Sequence, residues 1–265
     1  MELTVLDYIV FFVFVVGVTL LGCSFYIKSR KGASAFTAAE GTLPAWVVGM
    51  SIFAKFVSSS WFLGLPGGSY AGNWNQLVFS LTIPFAMWLA AKVFIPLYRS
   101  LNSVSAYHYL ELKFGYWARA YVAVCYLLTQ LARMGSILLL LAIPINTMFG
   151  WDIGIIIVAT GIITLVYSLL GGISAVMWTD AIQGIILIVG AVVCAVLLTF
   201  GMPEGPQQLF EIAAAHDKFS LGSFSLALTE PTFWVVFVYG LLTNMQNYGV
   251  DQNYVQRYMT ARSTA

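Results

Sequence analysis

The stretch from Leu43 to Tyr70 is apolar and long enough to cross a bilayer, yet Lys55 and Ser58, Ser59 and Ser60 sit at its middle. Gly64, Pro66, Gly67 and Gly68 crowd its far end. A helix in hydrocarbon must satisfy its own backbone groups. A polar interruption at that depth is tolerated only where protein or a water-filled cavity receives the freed amides and carbonyls, so the break reads as a binding site. Composition agrees with a membrane setting: 60% of the 265 residues are hydrophobic and 9% are charged, against roughly 25% charged in a soluble domain.

Apolar runs near the roughly 20 residues needed to span recur at Tyr8 to Tyr26, Leu43 to Tyr70, Leu77 to Tyr98, Tyr116 to Met148, Ile153 to Leu170, Ala175 to Phe200 and Thr232 to Gly249, which predicts seven crossings. The first is not a cleavable signal, because Glu2 and Asp7 precede it and the basic cluster Lys28, Arg30 and Lys31 follows it. Basic loops stay on the cytoplasmic side. An outside N-terminus places Lys28, Arg30, Lys31, Arg99, Lys113, Arg119, Arg257 and Arg262 inside and leaves Lys218 in an outer loop. The expected topology is therefore multi-pass, N-out and C-in, in a plasma (bacterial inner) membrane. Lys55, Lys92 and Arg133 remain at membrane depth, with Lys92 near enough to Arg99 to snorkel.

Cys23, Cys125 and Cys194 lie singly in apolar runs and are read as small core residues. His108 and His216 sit in opposite loops without a helical His or Glu partner, and no nucleophile and base pair is recognisable, so no enzyme is expected. Small-molecule substrate and membrane lipids are the expected partners, and nucleic acid is not.

The seventh run loses apolar character at Asn244, Gln246, Asn247, Gly249, Asp251 and Gln252. It is a second interrupted crossing, five helices after the first and of opposite sense, as matching helices of two inverted repeats would be. The organisation expected is an extra N-terminal helix and basic loop over 1–31, a first five-helix repeat over 32–200, an external loop over 201–230, and over 231–265 the first, broken helix of a second repeat. About four more helices would complete that repeat, so the chain reads as an N-terminal half, a truncated product or fragment. Within the external loop a plain connector is expected, with a short amphipathic helix over Gln207 to Ala215 as the alternative. At Gly171 and Gly172 the chain reverses tightly, and Asp180 follows early in the sixth helix.

The segment from Gly171 to Gln183, reading Gly-Gly-Ile-Ser-Ala-Val-Met-Trp-Thr-Asp-Ala-Ile-Gln, resembles a signature of the sodium:solute symporter family. Phe53-Ala54 followed by Ser58-Ser59 and Gly64-Leu65-Pro66 resembles that family's first core helix. Asp251-Gln252 followed by Val255-Gln256-Arg257 looks like the close of its sixth. The resemblance implies an all-α membrane protein of the inverted-repeat, LeuT-type transporter fold, sodium-coupled uptake, and alternating access around a midplane site. It implies that the carbonyls of Ala54 and Val57 help to hold Na⁺, the coupling ion, and that Asp180 helps to hold a second Na⁺, as in the sialic acid carriers of the family. The residue-level alternative for Asp180 is a structural or interfacial carboxylate.

Arg133 lies near mid-depth of a helix whose one other charge, Arg119, sits in its first turn, and a guanidinium fork suits a carboxylate. It aligns with the arginine that the family's sialic acid carriers use to grip the substrate carboxylate; an internal salt bridge with Asp180 or Asp251 is the alternative. Ser58 matches a sugar-contacting hydroxyl, Phe56 and Trp61 stand where those carriers have threonines, and Gln76 is a weaker candidate for a polar substrate contact. Lys55 departs from the family pattern. It would pair with a substrate carboxylate, neutralise Asp180, replace a cation, or simply face away. The function expected is sodium-coupled uptake of a small carboxylate-bearing solute, a sugar acid or sialic acid. The alternatives are a symporter for a neutral sugar, proline or a short carboxylate, and a non-transporting membrane scaffold.

Overall fold

The computed structural model describes residues 4–26, 32–57, 59–101 and 105–262. The basic cluster Lys28, Arg30 and Lys31 and the candidate Ser58 lie outside the described residues. The described chain is helical: α1 (Val5–Ser24), α2 (Ala33–Ala38), α3 (Ala45–Phe56), α4 (Ser59–Ala71), α5 (Asn75–Ser100), α6 (His108–Phe114), α7 (Tyr116–Phe149), α8 (Ile153–Phe200), α9 (Pro206–Ala215), α10 (Phe233–Val250) and α11 (Gln252–Thr260). Side-chain caps begin several of them. Asp152 accepts from the Ile155 amide at the head of α8, and Thr232 accepts from Val235 at the head of α10.

Among the described residues four helices, α1, α5, α7 and α8, are long and apolar enough to cross a membrane, and α3 with α4, bent by 47°, passes the same test when the two are taken as one broken span. Helix α8 has 48 residues, about 72 Å at 1.5 Å per residue and more than twice the hydrocarbon thickness. It is turned at Gly172, whose φ of 61° and ψ of −161° belong to a region essentially reserved for glycine. A Cβ on Gly172 would also lie 3.0 Å from Phe36. The two runs expected on either side of this point are thus two arms of one element. The expected seventh crossing, α10, falls short of the apolarity of the others because Asn244, Gln246 and Asn247 lie in its second half.

Helix α8 is the hub, receiving α1 and α3, while α10 packs along α5. One core joins Leu43, Val47 and Val48 to Met177 and Ala181 of α8; another joins Ala86, Ala90 and Tyr98 of α5 to Tyr248, Tyr254, Val255 and Tyr258. Pro84 and Pro96 each remove an amide from α5, and a wide turn over Ala90–Phe94 precedes the second. Near the first, Asn244 of α10 donates to the Phe79 carbonyl at 3.2 Å and to the Thr82 hydroxyl at 2.9 Å. A parallel bridge pairs Leu43 with Ala261: the Leu43 amide donates to Thr260 and the Arg262 amide donates to Leu43, both at 3.0 Å.

Three expectations need correction. The segment Gln207 to Ala215 is not a plain connector but lies within α9, which starts at Pro206, where proline's fixed φ favours the first helical position. Cys125 and Cys194 are exposed on the described chain and Cys23 is half-buried; an apolar helix in a membrane places small apolar side chains outward as readily as inward. His108 does have a helical partner, since its Nδ1 lies 3.3 Å from Glu111 one turn along α6. Glu111 also accepts from Arg119 at 2.6 Å, and Arg119, then His108, holds its carboxyl below the usual range.

Replacing Gly172 by Ala should cost about 1–3 kcal/mol from the disallowed backbone angle, with the Phe36 contact added. The melting temperature of the purified protein in detergent should fall. Gly161→Ala, where a Cβ meets open space, should leave it unchanged; equal effects would refute the turn.

Candidate functional site

Two helices stop in the middle of the protein, and their ends meet. Helix α3 closes with the Val57 amide donating to Phe53 at 2.9 Å, and Val57 then leaves helical geometry at φ −81°, ψ 80°. The carbonyls that end a helix have no intrahelical donors, and those of Ala54 and Val57 stand at this end. Helix α10 stops at Val250, and Asp251 turns to an extended φ −68°, ψ 123° before α11 begins. The Tyr258 hydroxyl donates to the Tyr248 carbonyl at 2.8 Å, satisfying one oxygen at the second break. Phe56 stacks on Tyr248 with ring centroids 6.3 Å apart, so the breaks lie side by side.

A cavity of about 260 Å³ lies against them, lined by Lys55, Phe56, Trp61, Arg133, Ser136, Ile137, Asn247 and Tyr254. Phe56 and Trp61 pack together at 4.8 Å and form one wall. A second cavity of about 250 Å³, bordered by Val48, Ile52, Met87 and Ala90, is mainly apolar; its polar lining residues include Arg99 and Tyr258, which bond the Ala261 and Tyr248 carbonyls. The first is the candidate site, because a binding site combines an apolar wall with a few directed polar groups.

Charge around the site is mostly paired. Asp251, 7% exposed, caps α11 by accepting from the Asn253 amide at 2.8 Å. It also accepts from the Tyr126 hydroxyl and the Gln130 amide, both at 3.3 Å, and Arg133 Nη1 lies 3.8 Å from its Oδ2. Arg133 thus both faces the cavity and leans on Asp251. Asp180 Oδ2 accepts from Arg257 Nη2 at 2.7 Å and from Ser51 Oγ at 2.9 Å. Arg257 Nε donates to the same Ser51 hydroxyl at 3.0 Å. One interlocked cluster therefore ties α3, α8 and α11 together.

Of the residues singled out from sequence, Phe56, Trp61 and Arg133 line the cavity, and Ala54 faces α8 beside Gly184. Gln76 is exposed and packs against Gly68, away from the cavity lining. Lys55 does not face away: it is part of the lining. Arg257, counted from sequence among the cytoplasmic charges, is 7% exposed and ion-paired. Its guanidinium does for one oxygen of Asp180 what a cation would do, whereas the carbonyl oxygens ending α3 suit a hard cation such as Na⁺. No cluster of three His, Cys, Asp or Glu exists among the described residues, so a transition-metal centre has no support there.

Sequence reasoning missed Ser136, Ile137, Asn247 and Tyr254 as lining residues. Ser136 and Ile137 follow Arg133 by three and four positions and share its helix face, a spacing that does identify them. Breaking a buried ion pair from one side leaves an uncompensated charge and costs about 3–5 kcal/mol. Arg257→Met should therefore destabilise the protein more than Arg257→Met combined with Asp180→Asn, read by thermal melting in detergent; strictly additive losses would refute a coupled pair.

Comparison with known proteins places this geometry. The chain is 29% identical over 259 residues to the sodium/sialic acid symporter SiaT of Proteus mirabilis, covering 97% of this chain and 52% of that protein. It is 30% identical over 261 residues to human sodium-coupled monocarboxylate transporter 2, covering 97% of this chain and 42% of that one. The chain therefore spans about half the length of the curated relatives it matches. A solved substrate-bound, outward-open structure of a Na⁺-coupled sialic acid symporter superposes with a TM-score of 0.94 at 29% identity, covering 98% of this chain and 54% of that one. The fold is accordingly that of an inverted-repeat, LeuT-type multi-pass membrane protein, and the relatives are transporters rather than enzymes. The model of the sodium:solute symporter family matches residues 36–265, and the chain belongs to that family.

Proposed function

We propose that the complete protein carries a small carboxylate-bearing solute, a sugar acid or sialic acid, into the cell with Na⁺ by alternating access. The observation that carries this reading is the Arg133 guanidinium in a cavity set between two broken helices. Arg133 grips the carboxylate, Phe56 and Trp61 bound the body of the solute, and Ser58 offers a hydroxyl. Gln76 stands toward the outer approach, next to Asn75, which donates to the Pro231 carbonyl just past the external loop. Na⁺ is held by the carbonyls of Ala54 and Val57, and its gradient supplies the driving force. Asp180 acts through Arg257 as a structural anchor.

The proposed topology is N-out and C-in, in a plasma or bacterial inner membrane, with lipid around the bundle. It is supported by Arg99, which donates to Ala261 at 3.2 Å near the C-terminal strap. Lys218 binds the Tyr70 and Gly72 carbonyls at the opposite end of the broken span. We propose the same domain organisation as read from sequence: an extra helix and loop over 1–31, a five-helix repeat over 32–200, an external loop over 201–230 and the first, broken helix of a second repeat over 231–265. A second reading, a carrier for a short carboxylate, is favoured by the bulk of the Phe56 and Trp61 pair.

Cells expressing the full-length gene should accumulate labelled sialic acid or lactate in proportion to the Na⁺ gradient, and Arg133→Ala should abolish uptake. Uptake indifferent to Na⁺, or preserved in the variant, would contradict the proposal.

A further inference from the structure

We infer that Lys55 supplies the unbalanced positive charge against which the substrate's carboxylate binds, which makes the site selective for monoanions. This deepens the proposed transport function and rests on it. Three basic and two acidic side chains gather near the breaks: Lys55, Arg133 and Arg257, with Asp251 and Asp180. Arg257 is committed to Asp180 at 2.7 Å, and Arg133 to Asp251 at 3.8 Å. Among the described residues Lys55 makes neither a hydrogen bond nor an ion pair, and its side chain lines the cavity beside Arg133. Two pairs and one leftover cation give the site a net charge of one positive unit.

A charge of that kind at membrane depth requires a counter-ion or water, and a low-dielectric cleft concentrates the opposite sign. A monoanion balances Lys55 while its carboxylate also reaches Arg133 in the same lining. A dianion leaves a negative charge unmatched in the cavity, and a neutral solute leaves Lys55 bare. The remaining lining sets the body of the ligand. Phe56, Trp61, Ile137 and Tyr254 receive compact apolar surface, and Ser136 and Asn247 offer hydrogen bonds.

The test uses the full-length protein in liposomes with labelled sialic acid, gluconate and lactate as monoanions, succinate as dianion, and glucose and proline as uncharged or zwitterionic controls. Wild type should take up at least one monoanion and reject succinate and glucose. Losing a charge-assisted contact corresponds to a KM about 10- to 100-fold higher, expected for Lys55→Met and Lys55→Gln at wild-type membrane levels, with Lys55→Arg within a few fold of wild type. The ratio of Na⁺ to anion should be unchanged. An unchanged KM in both neutral variants would overturn the assignment, as would one extra Na⁺ per anion, because Lys55 would then be standing in for a coupling ion. If the wild type took up glucose or proline with Na⁺ but no monoanion, the proposed function itself would fall along with this inference.

Discussion

The whole arrangement depends on the refusal of hydrocarbon to hydrogen-bond a peptide group. Wherever a helix of this chain stops inside the bundle, something must meet its loose ends, and the protein meets them one by one. The Tyr258 hydroxyl takes the Tyr248 carbonyl, the Asp251 carboxylate takes the Asn253 amide, and Asn244 takes the Phe79 carbonyl beside the Pro84 break. Other oxygens are left to a guest. That division between satisfied and available groups turns a defect in a helix into a site.

The same economy governs the ions. Arginine occupies the interior positions where a permanent charge with several directed donors is needed. Arg257 spends its three nitrogens on Asp180, Ser51 and the Asn253 carbonyl. Tyr126 and Gln130 support Asp251 from α7, the helix that also brings Arg133, Ser136 and Ile137 to the cavity. A single helix thus delivers the cavity's guanidinium together with donors to the carboxylate behind it.

Much of this was legible in the letters. Hydropathy located the long apolar helices, although two of the seven expected runs are arms of α8 and α10 is less apolar than the rest, and polar letters at Lys55 and from Asn244 to Asp251 marked both breaks. The glycine pair at Gly171 and Gly172 gave away the turn in α8. The Arg133–Asp251 pair was among the alternatives; what escaped was the partner of Asp180. No local pattern reveals that Arg257 reaches Asp180 across 77 positions, and a rule that counts basic residues for topology treats a buried arginine like a loop lysine. Helix periodicity fixes the face on which Lys55 leaves the last turn of α3, but not that Arg133 and Tyr254 meet that face across the cavity.

The bridge between Leu43 and Ala261 is only a few atoms wide, yet it ties the entrance of α3 to the exit of α11. With Gln256 donating to the Thr37 carbonyl at 2.7 Å, it joins the start of the first broken span to the end of the second. The backbone leaves helical geometry at Val57 and Asp251, next to the lining residues Phe56 and Tyr254, so the cavity borders the non-helical joint of each span.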